Sequence, residues 1–396
     1  MVENMGQLRD LFVGLSCRLL SLLISVFVPP FPADRQFSSI VVFKPCCIGD
    51  VVNATPALAA LRQAYPKARI AFVVSTWAKE AIQHNPVIDD LIECGNVGSG
   101  HKQDWREYMS LVNRLRKRGF ELAVVLDRSP LISLIPFLAR IPHRAGIDSS
   151  GRGFSLTVKA PWRTHRHEAE LYLDVVRALG IRPGEHKTVF HVAEADQTSA
   201  DRILDEALSA ISKKKEAGKL AMIHAGGAVN PGMTLSAKRW LPERYADTAR
   251  HLIHDGWTVL LVGAVSDKPV VDGILGSLTM DGSSTFAGGV VDLVDKLSLG
   301  ELAAAARRCD LYVGNDSGPT HIAAATGTPT VAIFGPSTPE MYAPFGPKTV
   351  AVYNQVHCSP CFVNGRFASN CRNYNCMQAV EVEDVWRAIG SVLSQP

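Results

Sequence analysis

The sequence predicts an α/β protein with two doubly wound parallel sheets, and three observations carry that reading. Short apolar runs alternate with amphipathic segments along nearly the whole chain, the pattern of β-strands joined by crossover helices. Two of the runs, Ile40-Val41-Val42-Phe43 and Leu311-Tyr312-Val313-Gly314, lead into polar turns that open helices, the arrangement found where such sheets hold ligands. The third observation is length: 396 residues exceed one typical core and suit two domains.

In the first half, strands are predicted at 40–44, 69–74 and 121–126, and amphipathic helices at 51–64 and 104–118, with Pro66 closing the first. Arg114, Arg116, Lys117 and Arg118 read as the solvated face of the second helix. A further helix fits Glu168 to Leu179, ended by Gly180. A polar stretch at 183–197 reads as a linker, followed by a helix from Ser199 to Glu216. In the second half, strands are predicted at 220–224, 258–262, 310–314 and 329–334 and helices at 242–255, 267–277, 299–308, 317–326 and about 382–394. The expected organisation is an apolar N-terminal segment (1–37), a first domain (38–182), a linker and helix (183–218), a second domain (219–380) and a C-terminal helix (381–396).

Composition narrows the class. With 47% hydrophobic and 20% charged residues the chain is an ordinary globular one, and a net charge of +3 gives no sign of a nucleic-acid binder. Nine cysteines without a compact framework point to a reduced interior. Leu11 to Val28 is almost entirely apolar but interrupted by Arg18, and no small-residue cleavage site precedes Pro29-Pro30-Phe31-Pro32. It reads as a helix lying on a membrane surface or packed on the protein, with a weak single anchor as the second reading.

Three segments carry chemistry. The turn Asn315-Asp316-Ser317-Gly318-Pro319-Thr320-His321 lies between a strand and a helix, where backbone N–H groups and the helix dipole favour a phosphate. Ser317 is a candidate N-cap. In Lys44-Pro45-Cys46-Cys47-Ile48-Gly49-Asp50-Val51-Val52, Asp50 sits at the start of a helix, as an N-cap or as a carboxylate facing a ligand. Between them, Lys238 and Arg239 of Ser236-Ala237-Lys238-Arg239-Trp240 follow the glycine turn Ala225-Gly226-Gly227 and are either phosphate contacts or solvated loop charges. No strand leads into Gly-x-Gly-x-x-Gly or Gly-x-x-x-x-Gly-Lys, which disfavours dinucleotide oxidoreductases and P-loop enzymes, and no Asp-x-Asp stands ready to hold a metal on a diphosphate.

Gly49-Asp50-Val51-Val52 with Pro56-Ala57-Leu58, Ala237-Lys238-Arg239-Trp240, Asn315-Asp316-Ser317-Gly318 with His321 and Ala323-Ala324-Ala325, and Phe334-Gly335-Pro336-Ser337 together resemble glycosyltransferase family 9, the lipopolysaccharide heptosyltransferases, in order over roughly residues 38 to 390. The resemblance implies a GT-B fold: two Rossmann-like doubly wound parallel-sheet domains facing across a cleft, with acceptor on the first, nucleotide sugar on the second, and the last helix crossing back onto the first. It implies an inverting, metal-independent transfer of a sugar, heptose from ADP-heptose, onto the lipid-linked lipopolysaccharide core, needing no cofactor. Asp50 would be the general base and Lys238 the phosphate-binding lysine, with Gly226, Gly227, Asp316, Ser317, Gly318, Thr320 and His321 completing the donor site. The implied partners are the nucleotide-sugar donor, the lipopolysaccharide acceptor and the inner-membrane surface, with no nucleic acid. The implied location is cytoplasmic, peripheral to the inner membrane.

Several residues keep open readings. His321 could touch a phosphate or hold the turn, and Asp267 is a weaker ribose candidate. Arg163, His165, Arg166 and His167, beside Trp162, are acceptor contacts or a solvated loop. Cys46 and Cys47 stand where the family commonly has small or hydroxyl residues and have no positioned base to make them nucleophiles. Cys358, Cys361, Cys371 and Cys376 are candidates for a structural zinc site, a disulfide or plain packing. Two other functions compete with transfer: a GT-B nucleotide-sugar epimerase, and a catalytically silent sugar-nucleotide-binding protein.

Overall fold

The apolar run Ser39–Phe43 (β1) carries β-branched residues buried on both faces, as a central parallel strand requires. The computed structural model describes residues 14, 16, 17, 19–21, 31, 32, 36–98, 104–185, 187–211, 218–227, 229, 230, 233–279, 289–363, 366, 367, 371 and 373–395. The chain divides into two compact units, Met1–Lys187 and Thr188–Pro396.

In the first unit, β1 is followed by helices Ile48–Asn53 (α1) and Thr55–Ala64 (α2), strands Arg69–Val74 (β2) and Asp90–Glu93 (β3), helix Trp105–Arg118 (α3), strand Leu122–Val125 (β4), helix Pro130–Leu138 (α4), strands His143–Asp148 (β5) and Val158–Pro161 (β6), and helix Glu168–Ala178 (α5). The strands form one parallel sheet in the order β3-β2-β1-β4-β5-β6, with Ile40 opposite Ile70 on one side and Leu122 on the other. The helix expected over 51–64 is two helices meeting at Ala54. Three strands and α4 go beyond the elements expected from sequence.

The predicted apolar helix over 11–28 falls mostly outside the described residues. Those described in it are helical, with Cys17 buried, Leu19 and Leu20 exposed, and the Ser21 hydroxyl accepting from Lys159 Nζ at 2.9 Å. Among the described residues, no helix is long and apolar enough to cross a membrane.

The second unit begins with helix Glu194–Ile211 (α6) and strand Leu220–His224 (β7). A two-stranded hairpin, Val229–Asn230 (β8) and Met233–Thr234 (β9), precedes helix Pro242–His254 (α7), strand Thr258–Leu261 (β10) and helix Lys268–Thr279 (α8). Then follow Val290–Asp292 (β11), Leu299–Arg307 (α9), Leu311–Asn315 (β12), Gly318–Ala325 (α10), Thr330–Ile333 (β13), Pro339–Tyr342 (α11) and Thr349–Val352 (β14). A second small hairpin, Phe362–Val363 (β15) with Arg366–Phe367 (β16), leads to Asn375–Gln378 (α12) and Val382–Leu393 (α13). The main sheet is again all parallel, in the order β11-β10-β7-β12-β13-β14.

Each sheet has the doubly wound order 3-2-1-4-5-6, the Rossmann order, with its reversal between the first and fourth strands. In the first unit that reversal lies between β1 and β4, and in the second between β7 and β12. The apolar face of α13 (Val385, Ala388, Ile389, Val392) belongs to the second unit's core, where it packs against that unit's sheet and α7.

Candidate active site

Open α/β sheets bind ligands beyond the carboxyl ends of the strands at the point where the order reverses. In the second unit this places the turn after β7 beside the turn after β12. Asn315, the last residue of β12, is fully buried and joins them. Its Oδ1 accepts from the Trp240 amide and the Tyr245 hydroxyl, both at 2.9 Å, and its Nδ2 donates to the carbonyls of Ala225 and Gly226 at 2.9 and 3.1 Å. One amide side chain thus fixes the glycine turn, the Lys238 segment and α7 around the turn that opens α10.

Lys238 sits on a short 3-10 turn, Ser236–Lys238, and its Nζ lies 2.6 Å from Asp316 Oδ2 and 4.6 Å from the centre of the Phe362 ring. Asp316 also accepts from the Ser337 hydroxyl, and His321 Nε2 is 4.0 Å from its other oxygen. Burial alone would raise the Asp316 carboxyl. Lys238, His321 and the hydrogen bonds from Lys238 and Ser337 outweigh it and hold the group below the usual carboxylate range. Asp316 is therefore an ionised, nearly buried anchor whose partner, Lys238, is the cation a diphosphate would meet.

Ser317 occupies the N-cap position of α10 with extended backbone, but its hydroxyl makes no capping bond and lies 3.3 Å from Thr320 Oγ1 instead. Thr320, expected among the ligand contacts, is turned inward. Its amide donates to the Ser317 carbonyl, its hydroxyl donates to the Asn315 carbonyl, and it is fully buried. The glycine turn is likewise spent on the scaffold. The Gly227 amide donates to Asp267 Oδ1 at 2.9 Å, and its carbonyl receives Arg239 at 2.9 and 3.0 Å. A Cβ at Gly226 would overlap the Asp267 carboxyl, and Gly227 has φ +81°, the left-handed region where glycine is favoured. Both glycines allow the close packing of Asp267 against this turn.

Asp267, the weaker ribose candidate, is 2% exposed and accepts from the Gly227 and Ala264 amides, with Arg239 at 3.3 Å and His224 at 3.7 Å. Burial would raise its carboxyl, but His224 and the two amides take it down to about 2. Arg239 is a structural clasp on this turn. Of the residues expected at the donor site, Lys238, Ser317 and Gly318 are part-exposed and His321 is nearly buried.

The reversal point of the first unit is built from charges. Asp50 is the third residue of α1, whose N-cap is Cys47, so it is not the cap that its position in the sequence also allowed. Its Oδ2 lies 3.1 Å from Lys44 Nζ, and its side chain is 30% exposed. Lys44 follows β1, is 7% exposed, and also has Asp127 Oδ2 at 3.6 Å and the Tyr172 ring at 5.6 Å. Asp127 follows β4; its Oδ1 accepts the Ser129 amide at 2.7 Å. Next to it, Arg128 pairs with the buried Glu168 at 2.8 Å and lies over Trp162 at 5.9 Å. Burial alone would lower the Lys44 ammonium, but Asp50, Asp127 and Glu168 together hold it above its ordinary value. Burial raises the Glu168 carboxyl against the pull of Arg128 and Lys44.

Within the basic stretch after Trp162, Arg166 is paired with Asp174 at 2.9 Å and Glu170 at 3.1 Å, and His167 caps α5 by accepting the Ala169 amide. Arg163 and His165 are exposed. Cys46 and Cys47, adjacent in sequence, have their sulfur atoms in contact. Cys358, Cys361, Cys371 and Cys376 are thiols, and the buried Cys376 is pushed up to about 11 by burial and by the other three nearby. Among the described residues, no three His, Cys, Asp or Glu side chains are arranged to hold a metal ion.

Two Rossmann-like units, each built on a six-stranded parallel sheet with one reversal of strand order, define the class as a GT-B protein. Residues 108–371 match the model of glycosyltransferase family 9 (heptosyltransferase), and the chain belongs to that family; it is a glycosyltransferase. It is 27% identical over 320 residues to lipooligosaccharide heptosyltransferase 2 of Haemophilus influenzae, covering 79% of this chain and 88% of the relative. Among solved structures it resembles a family 9 glycosyl transferase of Veillonella parvula (TM-score 0.71, 23% identity, 90% of this chain and 97% of the other). It also resembles the ADP-heptose lipopolysaccharide heptosyltransferase II of E. coli (TM-score 0.69, 22% identity, 90% and 98%), and these two likenesses bear on the fold. Membership of a transferase family sets aside both the epimerase and the silent-binder readings.

Proposed function

We propose that the enzyme transfers heptose from ADP-heptose to the lipopolysaccharide core, on the cytoplasmic side of the inner membrane and peripheral to it. The relatives' heptose chemistry supports the donor and acceptor. The observation that carries the mechanism is Asp50: a part-exposed carboxylate at the reversal point of the first sheet, held by Lys44 instead of capping its helix. The acceptor hydroxyl attacks the anomeric carbon, the bond from that carbon to the diphosphate oxygen breaks, and the configuration inverts. Asp50 takes the hydroxyl proton. Lys238 and the start of α10 meet the charge that grows on the departing ADP, and Asp316 keeps Lys238 aimed.

The test is transfer from a panel of nucleotide sugars to heptose-deficient lipopolysaccharide, wild type beside Asp50→Asn. ADP-heptose is the expected donor, and the variant is expected to lose at least ~100-fold in kcat with ADP affinity and thermal unfolding unchanged. Full activity of the variant removes Asp50 as base, and preference for another nucleotide sugar replaces the donor.

A further inference from the structure

A base that works by accepting a proton changes its own charge during turnover, and Asp50 is bound to a cation that cannot easily follow. Lys44 is all but buried, and a buried ammonium that loses its counter-ion is costly. Asp127, which sequence reasoning passed over, faces the same Nζ, at 3.6 Å against 3.1 Å for Asp50. The two carboxylates are differently placed: Asp50 is 30% exposed and Asp127 17%. Asp127 is also tied down, because its Oδ1 accepts the Ser129 amide at the start of α4 while its Oδ2 faces Lys44.

From this geometry we infer that Asp127 is a positioning residue, the reserve counter-ion that keeps Lys44 paired while Asp50 is protonated. The inference rests on Asp50 being the base. In the ground state Lys44 balances two carboxylates. When the acceptor O–H bond breaks, its electron pair forms the new glycosidic bond and its proton moves to Asp50, which becomes neutral. Lys44 stays charged and stays paired with Asp127. Release of the proton from Asp50 to water resets the site. The other charged or titratable groups facing this cluster are Glu168, which pairs with Arg128 and also acts on Lys44 and Asp50, Tyr172, whose ring lies under Lys44, and Lys79, on the turn packed against α1 and paired with Glu93 at 2.6 Å.

Two substitutions move the enzyme in opposite directions. In Asp127→Asn the amide oxygen still accepts from Ser129, but Asp50 becomes the near counter-ion of Lys44, and protonating it leaves the ammonium only Glu168, which is already paired with Arg128. The acid limb of the kcat/KM–pH profile is expected to move down by about half to one pH unit and kcat to fall about 10-fold, because the base is held too firmly in its ionised form. In Lys44→Met two carboxylates face each other without a cation, and the acid limb is expected to move up by about one unit. Lys44→Arg keeps the charge and is expected to leave the limb in place. The assay is ADP-heptose transfer to heptose-deficient lipopolysaccharide by the full chain, with ADP affinity measured alongside. If Lys44→Met does not fold, Asp127→Asn and Lys44→Arg still decide. An acid limb unmoved in Asp127→Asn, with Asp50→Asn inactive, overturns the reserve role and leaves Asp50 as base. An active Asp50→Asn overturns both.

Discussion

The two units have the same strand order, yet their reversal points differ in how charge and hydrogen bonds are combined. Around the first reversal point lie two cations and three carboxylates: Lys44, Arg128, Asp50, Asp127 and Glu168. Around the second, hydrogen bonds centred on Asn315 tie the turns together, flanked by two carboxylate clusters, Lys238–Asp316 and Asp267 with Arg239 and His224. On the mechanism proposed above, the difference follows from the tasks. Proton transfer changes the charge of a protein group, so the first site carries compensating charges. Holding a diphosphate leaves the protein's charge fixed but demands geometry, which neutral directional bonds secure without loss of positive potential. Substitutions at the first site should therefore be read in rate and pH profile, and those at the second in stability and nucleotide affinity.

The largest departure from wild type is expected for Lys238→Met. It removes the partner of a nearly buried carboxylate and should destabilise the protein by about 3 kcal/mol in urea unfolding, while weakening ADP binding about 100-fold in calorimetry. The double variant Lys238→Met/Asp316→Asn should recover most of the stability and none of the affinity, which separates the ion pair from the ligand contact. Recovery of both would mean that Lys238 serves Asp316 alone. Next comes Asn315→Ala, which leaves two donors and two carbonyls unmet in the interior and should cost about 2–3 kcal/mol. Asp127→Asn, in the charged unit, should cost under about 1 kcal/mol because its capping bond to Ser129 survives. Equal losses in the two variants would erase the distinction between the sites.

A third expectation concerns acid. Asp267 has its carboxyl lowered to about 2 in the folded protein, against about 3.9 for an unfolded chain. A lowered carboxyl stabilises the fold above the unfolded value, and that contribution is lost as pH falls through the folded one. Unfolding free energy should therefore decline between about pH 4 and 2, and Asp267→Asn should flatten that decline. A slope unchanged in the variant would assign acid sensitivity elsewhere, to Asp316 first, whose carboxyl is also lowered.

The elements read correctly from sequence are the interior ones: β1, β2, β4, β7, β10, β12 and β13 are apolar on both faces and stand out from their surroundings. The strands that escaped notice are mostly the sheet edges. β3 (Asp90–Glu93) begins and ends in acids, β6 (Val158–Pro161) contains Lys159 and closes on proline, and β11 and β14 are short. Edge strands are protected by shortness, charge and proline, the features that hide them from a hydrophobic pattern. α4 was lost for a related reason: Pro-Leu-Ile-Ser-Leu-Ile-Pro-Phe-Leu is apolar nearly all round, with prolines at 130 and 136, and shows no helical period. In the site, residues near one another in sequence, Asn315 to His321, were legible as a group. Lys44, Asp127 and Glu168 were not, because strand order alone brings them together. The signal that could have found Asp127 is its place directly after an apolar strand, where a charged residue lies at the ligand-facing end of the sheet.

The smallest effect sharpens the comparison at the level of single caps. Asp104 accepts the Arg106 amide at 2.8 Å at the start of α3 in the first unit, a working N-cap, and Asp104→Ala should cost about 1 kcal/mol. Ser317 stands in the same position of α10 in the second unit, but its hydroxyl meets Thr320 instead of a backbone amide. Ser317→Ala should cost under about 0.5 kcal/mol, despite serine's strong preference for that position. The serine then needs another reason to be there, and its place beside Lys238 and Asp316 supplies one: a hydroxyl not committed to capping can turn to a phosphate oxygen. Ser317→Ala is thus expected to lower ADP affinity about 5-fold with stability nearly unchanged. Loss of stability equal to that of Asp104→Ala, with ADP affinity intact, would return Ser317 to the role of an ordinary cap and leave Lys238 and His321 as the side chains that meet the diphosphate.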